Sequence, residues 1–373
     1  MSTVHPAVER ADALIDLERY EEARRLLAER LAEEPEDLRA WVKLARSHLG
    51  DEPDGEKALE ATERALVLDA EDVGALVMHA HALKAVGGRF PETEDVLREA
   101  IRLAPDYWYP YALLAHWLYR IRAVHHGQTH GGAVSRQALD GFLREAGELA
   151  QEAIRLGPEE VFAYEVAWTI ADLANNRTVA DQLDEQILRL DPQHRAALER
   201  QTRKAATGPG VKAAQAATLY ADALAAAPDS TVMHRGLDEA SYRLLRGIRW
   251  LALLCLALAG VGLDLFAVEG ETQRELPLPA GQRLWNLVPM AVIWALGALL
   301  RYRRLRAGVR VNLRSLIRRR PWPRAVLAQA AWAMLCALLL TEVPWSERTV
   351  PQVIFWAGLL PTAATVWFDR RKG

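Results

Sequence analysis

The stretch Arg98-Glu99-Ala100-Ile101-Arg102-Leu103-Ala104-Pro105 returns as Gln151-Glu152-Ala153-Ile154-Arg155-Leu156-Gly157-Pro158. It returns again, more loosely, as Gln186-Ile187-Leu188-Arg189-Leu190-Asp191-Pro192. Each copy reads as the last turns of an amphipathic helix, closed by a proline whose ring cannot continue the hydrogen-bond ladder. With that position as a ruler, Pro35, Ala70, Pro105, Pro158, Pro192 and Pro228 are separated by 35, 35, 53, 34 and 36 residues. A period near 34 predicts pairs of antiparallel helices, each pair burying its apolar face only by stacking on its neighbours. The long step is one period plus about nineteen residues, placed near 121–140.

Within one unit, Trp41-x-x-Leu44-Ala45-x-x-His48 is followed by Ala58 and Ala65 at small-residue positions of a second helix. Tyr20-Glu21-Glu22-Ala23, and Tyr164 with Ala180 sixteen residues on, fit other units. This pattern resembles the tetratricopeptide repeat (TPR) family over roughly residues 4–235, about six units, with His48 where the family has an aromatic. The resemblance implies a helical-hairpin solenoid whose first helices line a groove for an extended peptide or a partner helix. Projected onto this sequence, the groove carries Arg39, Arg46, His81, Lys84, Tyr109, His116, Tyr119 and Arg120. Such a basic, aromatic strip suits an acidic peptide or a terminal carboxylate, held by charge-assisted hydrogen bonds. The asparagines used by some members to clamp chaperone tails are missing from these helices.

The near-neutral balance of 46 basic and 49 acidic residues hides two opposite halves. Residues 241–373 hold 19 Lys+Arg and 7 Asp+Glu, a net of +12; the remaining 27 and 42 give residues 1–240 a net of −15. An acidic half lacks the basic face that phosphate contacts need, which argues against nucleic acid as a partner. Arginine outnumbers lysine 40 to 6, a bias expected of GC-rich bacterial coding. Both cysteines, Cys255 and Cys336, fall in apolar segments, so no disulfide framework or cysteine-based zinc site is expected.

Four apolar segments, 250–268, 284–302, 325–343 and 350–368, each approach the roughly 20 residues needed to cross a hydrocarbon core. Tryptophans stand at or near their ends, as Trp250, Trp285, Trp322, Trp345 and Trp367, where amphipathic rings favour the lipid–water interface. One side would carry 16 positive charges: Arg243, Arg246, Arg249, ten arginines in 301–324, and Arg370, Arg371 and Lys372. The other would carry Arg274, Arg283 and Arg348. Basic loops stay inside, so both termini and the repeats are expected to face the cytoplasm. A start without a basic-then-apolar region agrees with that.

Residues 301–324 alternate Leu305, Val309, Leu313, Leu316 and Ile317 with arginines, an apolar stripe beside a basic one. That pattern suits a helix lying among anionic lipid headgroups, with Arg303, Arg306, Arg310, Arg314 and Arg318 as their contacts. The alternatives are a plain positive-inside loop and a loop docked on the acidic repeats. His125, His126 and His130 sit in a glycine-bearing stretch that reads as a mobile insertion loop rather than a metal site. Ala291/Ala295, Ala333/Ala337 and Gly358/Thr362 are small pairs one turn apart, expected at helix packing or oligomer contacts.

No phosphate-binding glycine loop, Gly-x-Ser-x-Gly elbow or His-Glu-x-x-His motif is present. The expected organisation is all-α: a repeat solenoid at 1–235, a linking helix at 236–249, and a four-helix transmembrane domain at 250–373. The expected role is a non-catalytic scaffold in the inner membrane that needs no metal or cofactor. It would bind a protein or peptide and anionic headgroups, with homo-oligomers possible through the membrane helices. Two other readings stand beside it. One is a transporter or channel component with the repeats as a regulatory lobe; the other is a membrane enzyme acting on lipid or cell-wall precursors.

Overall fold

A computed structural model describes residues 5–50, 53–130, 134–266 and 275–371, apart from a few side chains near the ends of helices. Every regular element among them is helical. The chain forms two compact units, Met1–His194 and Arg195–Gly373.

The first unit is five consecutive hairpins. They pair α1 (Pro6–Asp16) with α2 (Tyr20–Glu33), α3 (Leu38–His48) with α4 (Gly55–Leu68), and α5 (Val73–Val86) with α6 (Thr93–Leu103). α7 (Trp108–His130) then pairs with α8 (Arg136–Leu156), and α9 (Val161–Leu173) with α10 (Arg177–Leu190). Starts are set locally: the carboxylates of Asp37, Asp54 and Asp72 accept the backbone N–H of Ala40, Lys57 and Ala75, which the first turn would leave unpaired. Alanines at full burial, among them Ala23, Ala40, Ala58, Ala80, Ala112, Ala146 and Ala163, let neighbouring helices close on one another. The largest cluster lies in the middle of this unit, with Leu97, Leu113, Trp117, Leu118, Ile121 and Val166 buried together.

The proline ruler has a hydrogen-bonding basis. Trp41 Nε1 donates to the Pro35 carbonyl at 2.8 Å, the Tyr111 hydroxyl to Pro105 at 3.1 Å, and the Tyr164 hydroxyl to Pro158 at 3.0 Å. His234 Nε2 stands 2.9 Å from the Pro228 carbonyl. At these four places the helix thus reaches back, six residues upstream, to a proline carbonyl just past the preceding helix. Sequence reading singled out Trp41 and Tyr164 but not the partner they share.

The stretch near 121–140 differs from its expectation. The described part is helix: α7 runs 23 residues to His130 and α8 begins at Arg136. The extra residues lengthen one hairpin rather than forming a mobile loop, and the Thr129 hydroxyl donates to the His125 carbonyl at 2.8 Å. Residues 131–133 lie outside the described residues. Among the described residues no group of three potential metal ligands occurs.

The second unit opens with a sixth hairpin, α11 (Arg195–Thr207) and α12 (Ala213–Ala226), packed on α13 (Thr231–Gly262). α13 is one uninterrupted 32-residue helix. Its first half buries Met233, Leu237 and Ala240 against α12, and its second half buries Ala252, Cys255, Leu256 and Ala259 among apolar helices. The helix stops where Asp264 takes φ 47°, a left-handed turn; residues 267–274 lie outside the described residues. Next comes α14 (Ala280–Trp294), a π-helical turn at Ala295–Leu299, and α15 (Leu300–Arg304). α16 (Ala307–Arg319), α17 (Pro321–Glu342) and α18 (Thr349–Arg371) complete the unit.

Four helices here are long and apolar enough to cross a membrane: Thr231–Gly262, Ala280–Arg304, Pro321–Glu342 and Thr349–Trp367. Large apolar side chains remain exposed along them, including Leu254, Val261, Leu284, Val292, Leu296, Leu335, Val353 and Leu360. Ala333/Ala337 and Gly358/Thr362 are buried packing contacts, whereas Ala291/Ala295 are exposed. Arg249, on α13, is 3% exposed within this unit, and its Nη1 donates to the Thr365 hydroxyl at 3.2 Å.

Candidate functional site

The eight groove residues fall into two groups. At the N-terminal end, Arg46 donates to Asp12 and Asp16, each at 2.8 Å, and Lys43 donates to Asp12 at 2.6 Å. Arg39 lines a small cleft beside Glu9 and Asp12. Carboxylates of α1 therefore already answer the cations of α3, and this end offers little net positive charge. Sequence projection missed the pairing because α1 was not placed against α3 in register.

On α5 and α7 the arrangement is different. His81 Nε2 and the Tyr109 hydroxyl are 3.3 Å apart, and the His81 ring meets Trp117 edge-on at 5.1 Å. Lys84 Nζ stands 4.7 Å from the Trp117 ring centroid, and the Arg120 guanidinium 5.7 Å from that of Phe90. Phe162, on α9, stacks within 5.8 Å of Tyr109 and 6.4 Å of His116 and is itself 38% exposed. Tyr119, on the same helix α7, is half-buried. The structure thus gathers His81, Lys84, Tyr109, His116 and Arg120 around an aromatic floor of Trp117, Phe90 and Phe162. Trp117 and Phe162 were not foreseen, since an aromatic at helical spacing reads equally well as core.

Lys84 and Arg120 make no ion pair among the described residues. Burial, then the Lys84 ammonium, holds the His81 imidazole down at about 4, so it is neutral near pH 7. Burial, with Lys84 and Arg120 behind it, also lowers His116. Burial and then Arg120 lower the Lys84 ammonium. These groups repel one another's positive charge, and an anion among them relieves that repulsion. His116 Nδ1 is buried without a hydrogen-bond partner, an unmet polar atom that costs about 1–3 kcal/mol. Chemically the arrangement presents two cations over aromatic faces, flanked by imidazoles and a phenol.

The basic segment of the second unit is ordered against its own repeat hairpin. Val309, Leu313 and Leu316 are buried, and Val309 and Leu313 share a core with Ala216, Ala217, Tyr220 and Leu237. Arg306 pairs with Asp222, and Asn312 Nδ2 donates to Asp238 at 3.1 Å and to Ser241 at 3.2 Å. The apolar stripe of α16 packs on protein, in the core it shares with α12 and α13. Arg314 donates to the Tyr302 hydroxyl at 3.2 Å, Arg303 and Arg318 are exposed, and Arg310 is half-buried.

Residues 5–47, covering α1 to α3, match the tetratricopeptide repeat family. Among the later hairpins, those that begin with α7 and α9 repeat the aromatic-to-proline hydrogen bond made by Trp41. MamA (residues 41 to the end) from Desulfovibrio magneticus RS-1 is a similar solved structure, at 16% identity over 52% of this chain and 99% of that one, TM-score 0.37. YrrB, a TPR protein with an unusual peptide-binding site, is 17% identical over 53% of this chain and 92% of its own, TM-score 0.36. TTC0263, a thermophilic TPR protein in Thermus thermophilus, is 22% identical over 63% and 96%, TM-score 0.31. No curated protein sequence matches the chain.

Proposed function

We propose that the chain is a membrane-anchored, non-catalytic scaffold that captures an acidic peptide or terminal carboxylate of a partner protein. The observation that carries this reading is the unpaired cation couple Lys84 and Arg120, set on aromatic rings beside neutral His81 and His116. A carboxylate there gains charge-assisted hydrogen bonds and meets no acidic competitor. Four apolar helices with exposed large hydrophobics support anchoring, because a soluble chain rarely leaves so much contiguous apolar surface uncovered. By the positive-inside rule, the arginines of 301–324 set the repeats on the cytoplasmic face. Anchoring then raises the local concentration of whatever the groove holds.

The test is a binding titration of the full chain in detergent against labelled peptides with free or amidated acidic C-termini. The free form should bind more tightly, and the preference should vanish in the Lys84→Glu, Arg120→Glu double variant. Equal affinity for both forms in the native chain would rule the reading out. Fractionation of cells into membranes and supernatant tests the anchor separately.

A further inference from the structure

Within the second unit, a cavity of about 1220 Å³ opens between α12, α13 and the α14–α15 helix. Its two ends differ in chemistry. One end is lined by Lys212, Arg243, Arg301 and Arg304, and the other by Ile248, Leu251 and Trp294. Lys212, Arg301 and Arg304 make no ion pair among the described residues; Arg243 stands 3.4 Å from Glu239. The π-helical turn Ala295–Leu299 borders the cavity through Ala295, Gly297 and Ala298. π-Turns carry a wider helical step and recur where a helix is shaped around a ligand. Here small residues replace bulk on the wall, and the exposed Ala291/Ala295 pair faces this space rather than another helix.

We infer that this cavity binds one anionic phospholipid, with its phosphate among Lys212, Arg301 and Arg304 and an acyl chain along Ile248, Leu251 and Trp294. About 20 Å of helix separates Ala291 from Arg304 at 1.5 Å per residue. That is a little more than one leaflet of a hydrocarbon core about 30 Å thick, so head and tail each reach matching surface. A free phosphate would leave the apolar end empty, and an uncharged lipid would leave the cations unanswered. This site rests on the membrane reading above. Its cations are a different set from the headgroup contacts expected on α16, of which Arg306 pairs with Asp222. Because α12 lines one wall, a lipid seated there touches the last repeat hairpin and the apolar helices at once.

The full chain, purified in mild detergent and stripped of lipid, is offered phosphatidylglycerol or phosphatidylcholine and weighed by native mass spectrometry. One phosphatidylglycerol per chain should be retained. Arg301→Ala with Arg304→Ala should weaken retention about thirtyfold, the effect of removing two interfacial cations. Ala298→Trp, which fills the apolar wall, should abolish it. Arg319→Ala with Arg320→Ala, outside the cavity, should leave it unchanged, and thermal melts confirm that each variant is folded. Equal retention of phosphatidylcholine would overturn the inference. So would equal loss with the Arg319/Arg320 pair, or protection by inorganic phosphate as strong as by lipid. A folded chain that stays in detergent-free supernatant removes the membrane reading itself, whereas a membrane-bound chain without selective retention removes only the lipid site.

Discussion

Lys84 holds its ammonium 4.7 Å above the ring of Trp117, a side chain 2% exposed, and no carboxylate among the described residues pairs with it. A cation over a desolvated ring gains about 0.5–2 kcal/mol from the quadrupole, which fixes its position without neutralising it. The charge stays available to a ligand. Arg46, held by two aspartates, shows the opposite arrangement on the same repeat surface.

That contrast predicts unequal mutational effects along one strip. Lys84→Glu with Arg120→Glu should reduce affinity for an acidic peptide by at least about tenfold, since each charged hydrogen bond contributes about 1.5–3 kcal/mol. Arg46→Ala should change affinity less than about twofold, its charge being already paired on a 42% exposed side chain. Fluorescence anisotropy on the full chain checks both; equal losses would show that the groove extends to α3.

Acid should loosen the first unit. The folded-state pKa of His81 lies at about 4, below its ordinary 6.5, so the unfolded chain binds the proton first. The corresponding stability is fully present above pH 6.5 and is lost as pH falls toward 4. His81→Gln should flatten that part of the stability–pH curve, read as thermal midpoints between pH 7 and 4. An unchanged slope would assign acid sensitivity to other groups, such as His79 and His116, which burial also lowers.

Gly236 on α13 lies under the ring of Tyr220, and a Cβ there would fall 2.5 Å from ring carbons. Tyr220 is 5% exposed and has little room to yield. Gly236→Ala should therefore destabilise the α12–α13 contact by about 1–3 kcal/mol, as overpacking does. Faster hydrogen exchange in α12 is the expected readout. Gly247→Ala, where nothing lies within 4 Å, is the control.

Docking of α16 predicts protease behaviour. Asp222→Arg with Asp238→Ala removes the acidic partners of Arg306 and Asn312, and trypsin should then cut the arginine-rich segment several times faster. Val309→Asp, which places a charge at a fully buried position, should do so more strongly. Cleavage at the native rate in both variants would mean that α16 is held by other contacts.

Residue spacing alone located most hairpins because they carry local signals: an apolar stripe, small residues at fixed offsets and, after most second helices, a proline stop within about 34 residues. The 53-residue step could be counted but not shaped. Nothing in His125-His126-Gly127 says whether extra residues loop out or lengthen a helix, since that turns on what α8 offers α7 to pack against. The groove was half legible. Projection named His81, Lys84, Tyr109, His116 and Arg120, while the aspartates that neutralise Arg46 come from thirty and thirty-four residues earlier in the chain.

The order of amino acids by itself determined that this protein is helical, repeated and divided into an acidic half and an apolar, basic half. Those properties follow from periodicity and composition, which every turn of chain repeats. Only the tertiary structure decided which cations stay unpaired, that α16 turns its apolar stripe toward α12 and α13, and that a cavity opens beside the π-turn. Each of these is set by distances between residues remote in sequence, and electrostatic and packing energies depend on those distances rather than on the residues' order.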